Sequence, residues 1–197
     1  MTDIYEKCPV LENEKYILRF VEETDVSELL EVYSDKNALP FFNSDNCNGD
    51  NFYYPTAEKM LYAVKFWLFS YRERYFVRFS IIDKSINKAV GTVEIFRRVS
   101  GDKFDGDGVF RLDVKSDYEK ESIISDIISV IVPPAFEMFG VDEIITKIPI
   151  YAVERMNAFR KFGFCKSEYF MVGTHDGYAY KDYWTLHIKR VNGKILH

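Results

Sequence analysis

The stretch from Gly108 to Phe164 reads GVFRLDVKSDYEKESIISDIISVIVPPAFEMFGVDEIITKIPIYAVERMNAFRKFGF, and its apolar pattern decides the fold. Apolar residues alternate over 109–114, which predicts a half-buried strand. From Ile123 the isoleucines recur at helical spacing, which predicts a helix after the polar turn 115–122. A second strand over 143–150 and a second helix over 153–162 follow. Two parallel strands joined by a helical crossover form a βαβ unit.

These elements resemble the GCN5-related N-acetyltransferases, which bind acetyl-CoA at this strand, turn and helix. The likeness is greatest to the branch that acetylates ribosomal-protein N-termini, and it extends over most of the chain. It is carried by six segments in the family's order: YILRF at 16–20, ETD at 23–25, AVGTVEI at 89–95, SDY at 116–118, AFE at 135–137 and RKFGF at 160–164.

The resemblance implies an α/β fold of acyl-CoA N-acyltransferase type. Its sheet is mixed and mostly antiparallel, with about seven strands and helices on both faces. The length predicts a single domain over 1–197. We expect a loose lead-in over 1–15. The polar loop 37–55 is either disordered or a cover on the acceptor side, where the resemblance places it.

The cofactor turn departs from the family pattern, in which Arg or Gln precedes two variable residues, a Gly, one variable residue and a Gly or Ala. This chain instead has Glu119, Lys120, Glu121, Ser122, Ile123 and Ile124. Its acids would oppose a pyrophosphate unless Lys115 and Lys120 offset them, or they simply complement the helix dipole. The resemblance implies that backbone groups of Leu112 and Val114 hold the acetyl carbonyl and the pantetheine arm.

Catalysis in the family is direct attack of an amine on the thioester, with a general base and a general acid. The usual acid position corresponds to Phe159, a common Asn position to Ala152, and an expected carboxylate lies near Val109. Glu94 is a substitute base acting through water, or else a solvated strand residue. Tyr151 is a substitute acid, or else a packing residue. His175 and His187 are expected to be structural.

Composition excludes several functional classes. The net charge of -5 and the pI near 5.3 argue against nucleic-acid binding and suit a cationic acceptor. Three scattered cysteines predict neither a disulfide framework nor a zinc site, and the Asp/Gly loop 100–108 lacks the closing Glu of a calcium loop. No export signal or membrane span is evident, so we expect a cytoplasmic protein without a metal.

The remaining patterns concern individual elements. Thr56 should begin a helix whose aromatic stripe packs in the core. Pro133 and Pro134 should kink or break the cofactor helix after about Val132. Strands over 169–172 and 180–188 should form a final antiparallel hairpin beside the strand that contains Ile144.

The favoured function is transfer of acetyl from acetyl-CoA to a primary amine, on a small molecule or a protein N-terminus. The alternative is an inactive module of the same fold that no longer binds acetyl-CoA. A third interpretation is an interaction surface on the aromatic loop 40–54, which implies a stable partner or a homodimer. The acceptor, the oligomeric state and the identity of acid and base are not fixed by the sequence.

Overall fold

A computed structural model describes residues 3–188, 190–191 and 194–195. Within that part of the chain twelve strands occur, several of them only two residues long. In chain order they are β1 Leu11–Glu12, β2 Tyr16–Phe20, β3 Val77–Asp83, β4 Lys88–Arg97, β5 Gly108–Val114, β6 Glu143–Lys147, β7 Cys165–Lys166, β8 Met171–Val172, β9 Ala179–Tyr180, β10 Tyr183–His187, β11 Arg190–Val191 and β12 Lys194–Ile195.

Four α-helices accompany the strands in the described residues: α1 Val26–Tyr33, α2 Ala57–Arg72, α3 Glu121–Met138 and α4 Val153–Phe162. Short 3-10 helices lie at Glu23–Asp25, Leu39–Phe41 and Ser116–Tyr118. The bounds of α4 match the sequence prediction because Gly163, at φ 105°, ends that helix in the left-handed region. Within the described residues, no helix combines the length and apolar character needed to cross a bilayer.

The main sheet has eight strands in the order β1-β2-β3-β4-β5-β6-β10-β7. Every neighbouring pair is antiparallel except β5 and β6, which are parallel. The predicted mixed, mostly antiparallel α/β fold is therefore confirmed. The sheet exceeds the expected seven strands by one.

The two faces of the sheet differ in chemistry. The face that packs against α3 is apolar, and it contains Phe79, Val93, Phe110 and Leu112. The opposite face carries Arg78, Thr92, Glu94, Arg111 and Asp113, all of which are buried. Because strand residues alternate between faces, neighbouring positions on β3, β4 and β5 supply these two different environments.

Helix α3 is continuous through its two prolines, so the predicted break is wrong, whereas the alternative of a kink stays a prediction. α3 continues through Pro133 and Pro134 to Met138. The two missing N–H groups would have bonded to carbonyls four residues earlier, at Ser129 and Val130. Ser129 is exposed and Val130 is only partly buried. These carbonyls belong to the outer side of the helix, where water can hydrate them.

The aromatic stripe of α2 divides between core and surface. The Thr56 hydroxyl caps the helix by accepting from the Lys59 N–H. In the predicted stripe, Met60 and Trp67 are buried, but Phe66 is 50% exposed and Phe69 44%, which corrects the prediction that the stripe packs in the core. The cause is geometric, because one helix face can contact the sheet and these aromatics extend round to the other.

The last strands pair differently from the predicted hairpin. β10 is antiparallel to β6, as expected, but its outer neighbour is β7. β8 and β9 form a separate two-stranded ribbon. Asp182, at φ 66° between β9 and β10, marks the change of direction that separates them.

Both segments expected to be loose are packed. In the lead-in, Ile4 is buried in the main core and β1 pairs with β2. The loop 37–55 buries Phe42, Phe52 and Tyr54 in the cluster beneath α1 and α2. Its polar composition therefore conceals a set of apolar anchors, and the structure contradicts disorder in this loop.

We expect Asp107, in the loop between β4 and β5, to make stability depend on pH. Burial and the nearby Glu143 raise the pKa of Asp107 from 3.8 to about 6. Its folded state thus binds a proton more tightly than the unfolded state, so stability decreases as pH rises from about 4 to 6. Asp107→Asn should be more stable than wild type by about 1 kcal/mol at pH 7.5, after allowance for solvent screening.

Urea unfolding at pH 3.5 and pH 7.5 measures this effect, and the difference between the proteins should vanish at the lower pH. Asp117→Asn, at an exposed position, is the control and should alter stability little at either pH. A normal carboxyl pKa for Asp107 in an NMR titration would contradict the prediction.

Candidate functional site

The site is centred on a gap between β5 and β6. Their parallel pairing is limited to Gly108 with Ile144 and Val109 with Ile145, after which the strands diverge. On the other edge of β5, the Lys115 N–H donates to the Val90 carbonyl at 3.0 Å. Because backbone groups alternate along a strand, the odd-numbered residues face β4 and the even-numbered ones face the gap.

Leu112 and Val114 therefore direct their backbone N–H and C=O groups into the gap. These are the two residues that the resemblance assigns to the acetyl and pantetheine contacts. Their side chains point away from the plane of the sheet, into the core under α3. The direction of these backbone groups does not depend on side-chain identity, and their assignment to acetyl and pantetheine contacts stays a prediction.

The cofactor turn is closed by an ion pair that the sequence does not reveal. Glu119 lies at the position where the family has a cation, and its carboxylate binds Arg155 of α4. The two oxygens accept from Arg155 Nε and Nη2, each at 2.7 Å. Lys115 does not offset this acid, because it pairs with Glu31 at 2.9 Å.

The first turn of α3 is also engaged by α4. The Glu121 N–H donates to Glu154 Oε2 at 2.8 Å, and the Glu121 carboxylate pairs with Lys161. A hydrogen bond from Lys161 lowers the pKa of Glu121. The helix N-terminus, where a phosphate would bind, thus already has a carboxylate partner.

The other turn residues have different environments. Lys120 and Ser122 are exposed, and Ile123 is partly buried. Ile124 belongs to the main hydrophobic core. Lys120, Ser122 and Ile123 are therefore accessible to a ligand, whereas Ile124 contributes to packing.

Arg155 is the main residue that sequence reasoning missed. It is almost fully buried, and Nη1 donates to the carbonyls of Phe41 at 3.0 Å and Leu112 at 2.9 Å. One signal was present in the sequence: Arg155 shares the apolar face of α4 with Ala158 and Phe159, and a lone cation there requires a buried acceptor. The guanidinium connects the loop 37–55, β5 and the cofactor turn.

Glu94 is buried rather than solvated. It binds Arg111 Nη1 at 2.6 Å and also pairs with Arg78. Burial tends to raise the pKa of Glu94, but the charges and hydrogen bonds of the two arginines lower it. Because each carboxylate oxygen accepts from an arginine, the geometry favours an ion-pair role over that of a general base.

The buried charges continue from Glu94 towards α1. Asp113 Oδ2 accepts from the Tyr33 hydroxyl at 2.9 Å and from Arg78 Nη1 at 3.1 Å. Burial raises the pKa of Asp113, although Arg78 opposes this shift. The Arg78 guanidinium carbon also lies 4.2 Å from the centroid of the Trp67 ring, a cation–π distance. This network fixes the polar face of the sheet beside the gap.

Tyr151 follows β6 by four residues and is exposed. Its hydroxyl donates to the Pro40 carbonyl at 2.6 Å, and its ring packs edge-on against Phe41 at 5.9 Å. Phe159 is fully buried between Phe110 and Phe164. The family's usual acid position therefore faces the core, whereas Tyr151 is accessible.

Asp45 anchors the loop 37–55 over the polar face of the sheet. Its carboxylate accepts from Lys147 Nζ at 2.6 and 2.7 Å and from the Tyr183 hydroxyl at 3.2 Å. Its carbonyl accepts from Arg111 at 2.8 Å. The loop is therefore attached to β5, β6 and β10 on the side that the resemblance assigns to the acceptor.

Two histidines lie in the described part of the chain, His175 and His187, and neither is on β5, α3 or α4. His175 lies on the turn of the small ribbon, where its N–H donates to Asn46 Oδ1 at 2.8 Å. His187 ends β10 opposite Glu143, at the far end of β6 from the gap mouth. Among the described residues, no group of three His, Cys, Asp or Glu side chains is arranged to hold a metal ion.

No family model and no curated protein matches the chain by sequence. Solved structures match over nearly its whole length. An acetyltransferase of the GNAT family from Bacillus anthracis is 14% identical, with a TM-score of 0.65, and the match covers 91% of this chain and 98% of that one. The ribosomal-protein-S5-alanine acetyltransferase from Vibrio fischeri is 16% identical, with a TM-score of 0.64 and coverage of 90% and 94%.

A third structure is the spermidine N-acetyltransferase from Vibrio cholerae in complex with CoA and spermine. It is 10% identical, with a TM-score of 0.62, and the match covers 89% of this chain and 96% of that one. The expected resemblance, including that to ribosomal-protein acetyltransferases, is thus confirmed for the fold. The chain has the fold of the GCN5-related N-acetyltransferases.

Proposed function

We propose that the protein is an N-acetyltransferase that transfers acetyl from acetyl-CoA to a primary amine. The observation that supports this most is the gap between β5 and β6, which opens after Val109 beside the N-terminus of α3. A gap with backbone donors on one wall can bind an extended amide-bearing arm as a strand binds its neighbour. Acetyl-CoA would supply the activated thioester.

Some features of this chain suit CoA binding and others oppose it. The backbone groups of Leu112 and Val114 suit a pantetheine arm, and Lys120 and Ser122 are exposed at the turn. Glu154 and Arg155, however, already bond to the start of α3 and to the Leu112 carbonyl. Binding of CoA therefore requires movement of α4 side chains.

Tyr151 is the proposed proton donor at this site. Tyr151 is exposed, and its hydroxyl needs to exchange only the Pro40 carbonyl to reach a new acceptor. We do not assign a base to Glu94, because both its oxygens are held by arginines. An amine that loses its proton to water before attack would need no protein base.

The proposed acceptor is a small-molecule amine or a protein N-terminus. The net charge of -5 favours approach of a cation. Two of the similar structures are a spermidine N-acetyltransferase and a ribosomal-protein-S5-alanine acetyltransferase. Spermidine and peptides with free N-terminal alanine or serine are therefore the first acceptors to test. The proposal places the protein in the cytoplasm, where acetyl-CoA and these acceptors occur.

A second candidate is a binding module of the same fold that has lost acetyl transfer. Two observations favour it: Phe159 is buried at the family's acid position, and α4 side chains engage both anchor points for the cofactor. The enzyme and the module differ in one measurable property, which is binding of CoA by the unmodified chain.

Calorimetric titration with acetyl-CoA and CoA at two salt concentrations tests the proposal, followed by thiol-release assays with these acceptors. We expect saturable binding and acetyl transfer. Tyr151→Phe should reduce kcat by about 100-fold with little effect on CoA affinity. Tyr169→Phe, at an exposed tyrosine on another part of the chain, is the matched control. Absence of binding at millimolar CoA would favour the module.

A further inference from the structure

Two adjacent residues in the first turn of α4 reach into the candidate cofactor groove, one negative and one positive. We name Glu154 and Arg155 the α4 latch. Glu154 is exposed, whereas Arg155 is buried with only 2% of its side-chain surface accessible. Their contacts coincide with the two places where a CoA molecule would need to bind.

The Arg155 guanidinium occupies the gap between β5 and β6. The guanidinium cannot bind another partner without breaking several hydrogen bonds, because it forms a bidentate pair with Glu119 and donates to two carbonyls. One of these is the Leu112 carbonyl, on the gap-facing edge of β5. An arm that pairs with this edge must displace the guanidinium from Leu112.

The Glu154 carboxylate occupies the other anchor point. It accepts from the Glu121 N–H at 2.8 Å, at the position where α3 begins. Free N–H groups at a helix N-terminus bind phosphate, and a carboxylate there acts as an internal anion. A pyrophosphate would compete with this carboxylate for the same donor and would also be repelled by it.

Glu119 in the turn before α3 and Arg155 of the α4 latch each supply the charged partner that the other requires. Glu119 stands where the family has a cation, and a buried acid at that position requires a positive partner. Arg155 supplies it from α4. The acid at position 119 therefore faces Arg155, and the pair closes the groove from within.

We propose that Arg155, assisted by Glu154, is the residue that determines whether the groove admits a CoA thioester. The groove is closed while Arg155 bonds to Leu112 and Glu119, and it opens when these bonds break. The identity of the ligand rests on the proposed function, whereas the latch rests on the contacts alone. If the latch is open in about one molecule in ten, the apparent affinity for CoA is about tenfold below that of an open groove.

The test is calorimetric titration with CoA of wild type and of the double variant Arg155→Ser, Glu119→Gln. The double variant removes both members of the buried pair, so neither charge is left unpaired. We expect CoA to bind the variant about tenfold or more tightly than wild type. Arg160→Ser, Glu168→Gln is the matched control, since it makes the same changes at exposed positions, and its affinity should equal that of wild type.

Unchanged or weaker CoA affinity in a double variant whose circular dichroism shows a native fold would overturn the latch. Glu154→Gln supplies a second test at an exposed residue, should the buried changes prevent folding. Its affinity should rise about threefold because the internal anion is weakened, and no rise would equally oppose the proposal. Tighter binding by the variants with no acetyl transfer by wild type would support the latch and refute the enzyme. Equal CoA affinity of wild type and variants, together with acetyl transfer by wild type, would refute the latch and support the enzyme.

Discussion

Arg78→Met should lower the free energy of unfolding by about 3–5 kcal/mol, because it removes the cation from the centre of a buried network. Arg78 Nη1 lies within hydrogen-bond distance of the Tyr33 hydroxyl, Thr92 Oγ1 and Asp113 Oδ2, at 2.8, 3.0 and 3.1 Å. Glu94 would retain its ion pair with Arg111. Within the described residues, the Tyr33 hydroxyl would be the one side-chain hydrogen-bond donor left to Asp113. Urea unfolding at pH 7 measures the loss.

Arg97→Met, at the exposed end of β4, is the matched control and should change stability by less than about 0.5 kcal/mol. Adding Asp113→Asn to Arg78→Met should recover part of the loss, since the uncompensated charge is then removed. If Arg78→Met cost no more than its control, the buried network would contribute little to stability.

Gly91→Ala should destabilise the fold by about 2–3 kcal/mol, because β4 and β5 approach too closely there for a side chain. A Cβ at this position would overlap the Asp113 carbonyl oxygen and lie 2.9 Å from Val114 Cα. Both are backbone atoms, which cannot move without separating the strands. For a chain of this size the loss corresponds to a decrease in Tm of about 5–10 °C.

Thermal unfolding followed by circular dichroism measures this decrease. Gly101→Ala is the control, because a Cβ there meets nothing within 4 Å, and its Tm should remain within about 2 °C of wild type. The displaced Val114 backbone also borders the gap, so Gly91→Ala should weaken CoA binding as well. A Tm unchanged from wild type would show that the strands separate at little cost.

Local pattern was sufficient to predict much of the fold. The βαβ unit, the direction of β5 and β6 and the bounds of α4 all follow from apolar periodicity and Gly163, which act over a few residues. The predictions that were wrong depended on surroundings. α3 passes through Pro133 because the lost bonds lie on its outer side, and the loop 37–55 is packed because its few aromatic side chains are buried.

For the candidate site, as for the fold, some features were predicted from the sequence and others were not. The resemblance proposes Leu112 and Val114 as backbone contacts, and the strand pairing shows that their N–H and C=O groups face the gap. The sequence also identified the acid at position 119 as a departure. It did not indicate what that acid binds.

What the sequence alone determined is the βαβ unit over 108–164, because it arises from periodic apolar residues and the order of elements. Only the tertiary structure decided which charges meet. Arg155 bonds to Glu119, 36 residues away, and to Phe41, 114 residues away. Glu94 becomes a buried ion pair only because β3 and β5 bring arginines to it. Such pairings are selected by burial, which leaves a charge few partners, and burial exists only once the sheet and helices have packed.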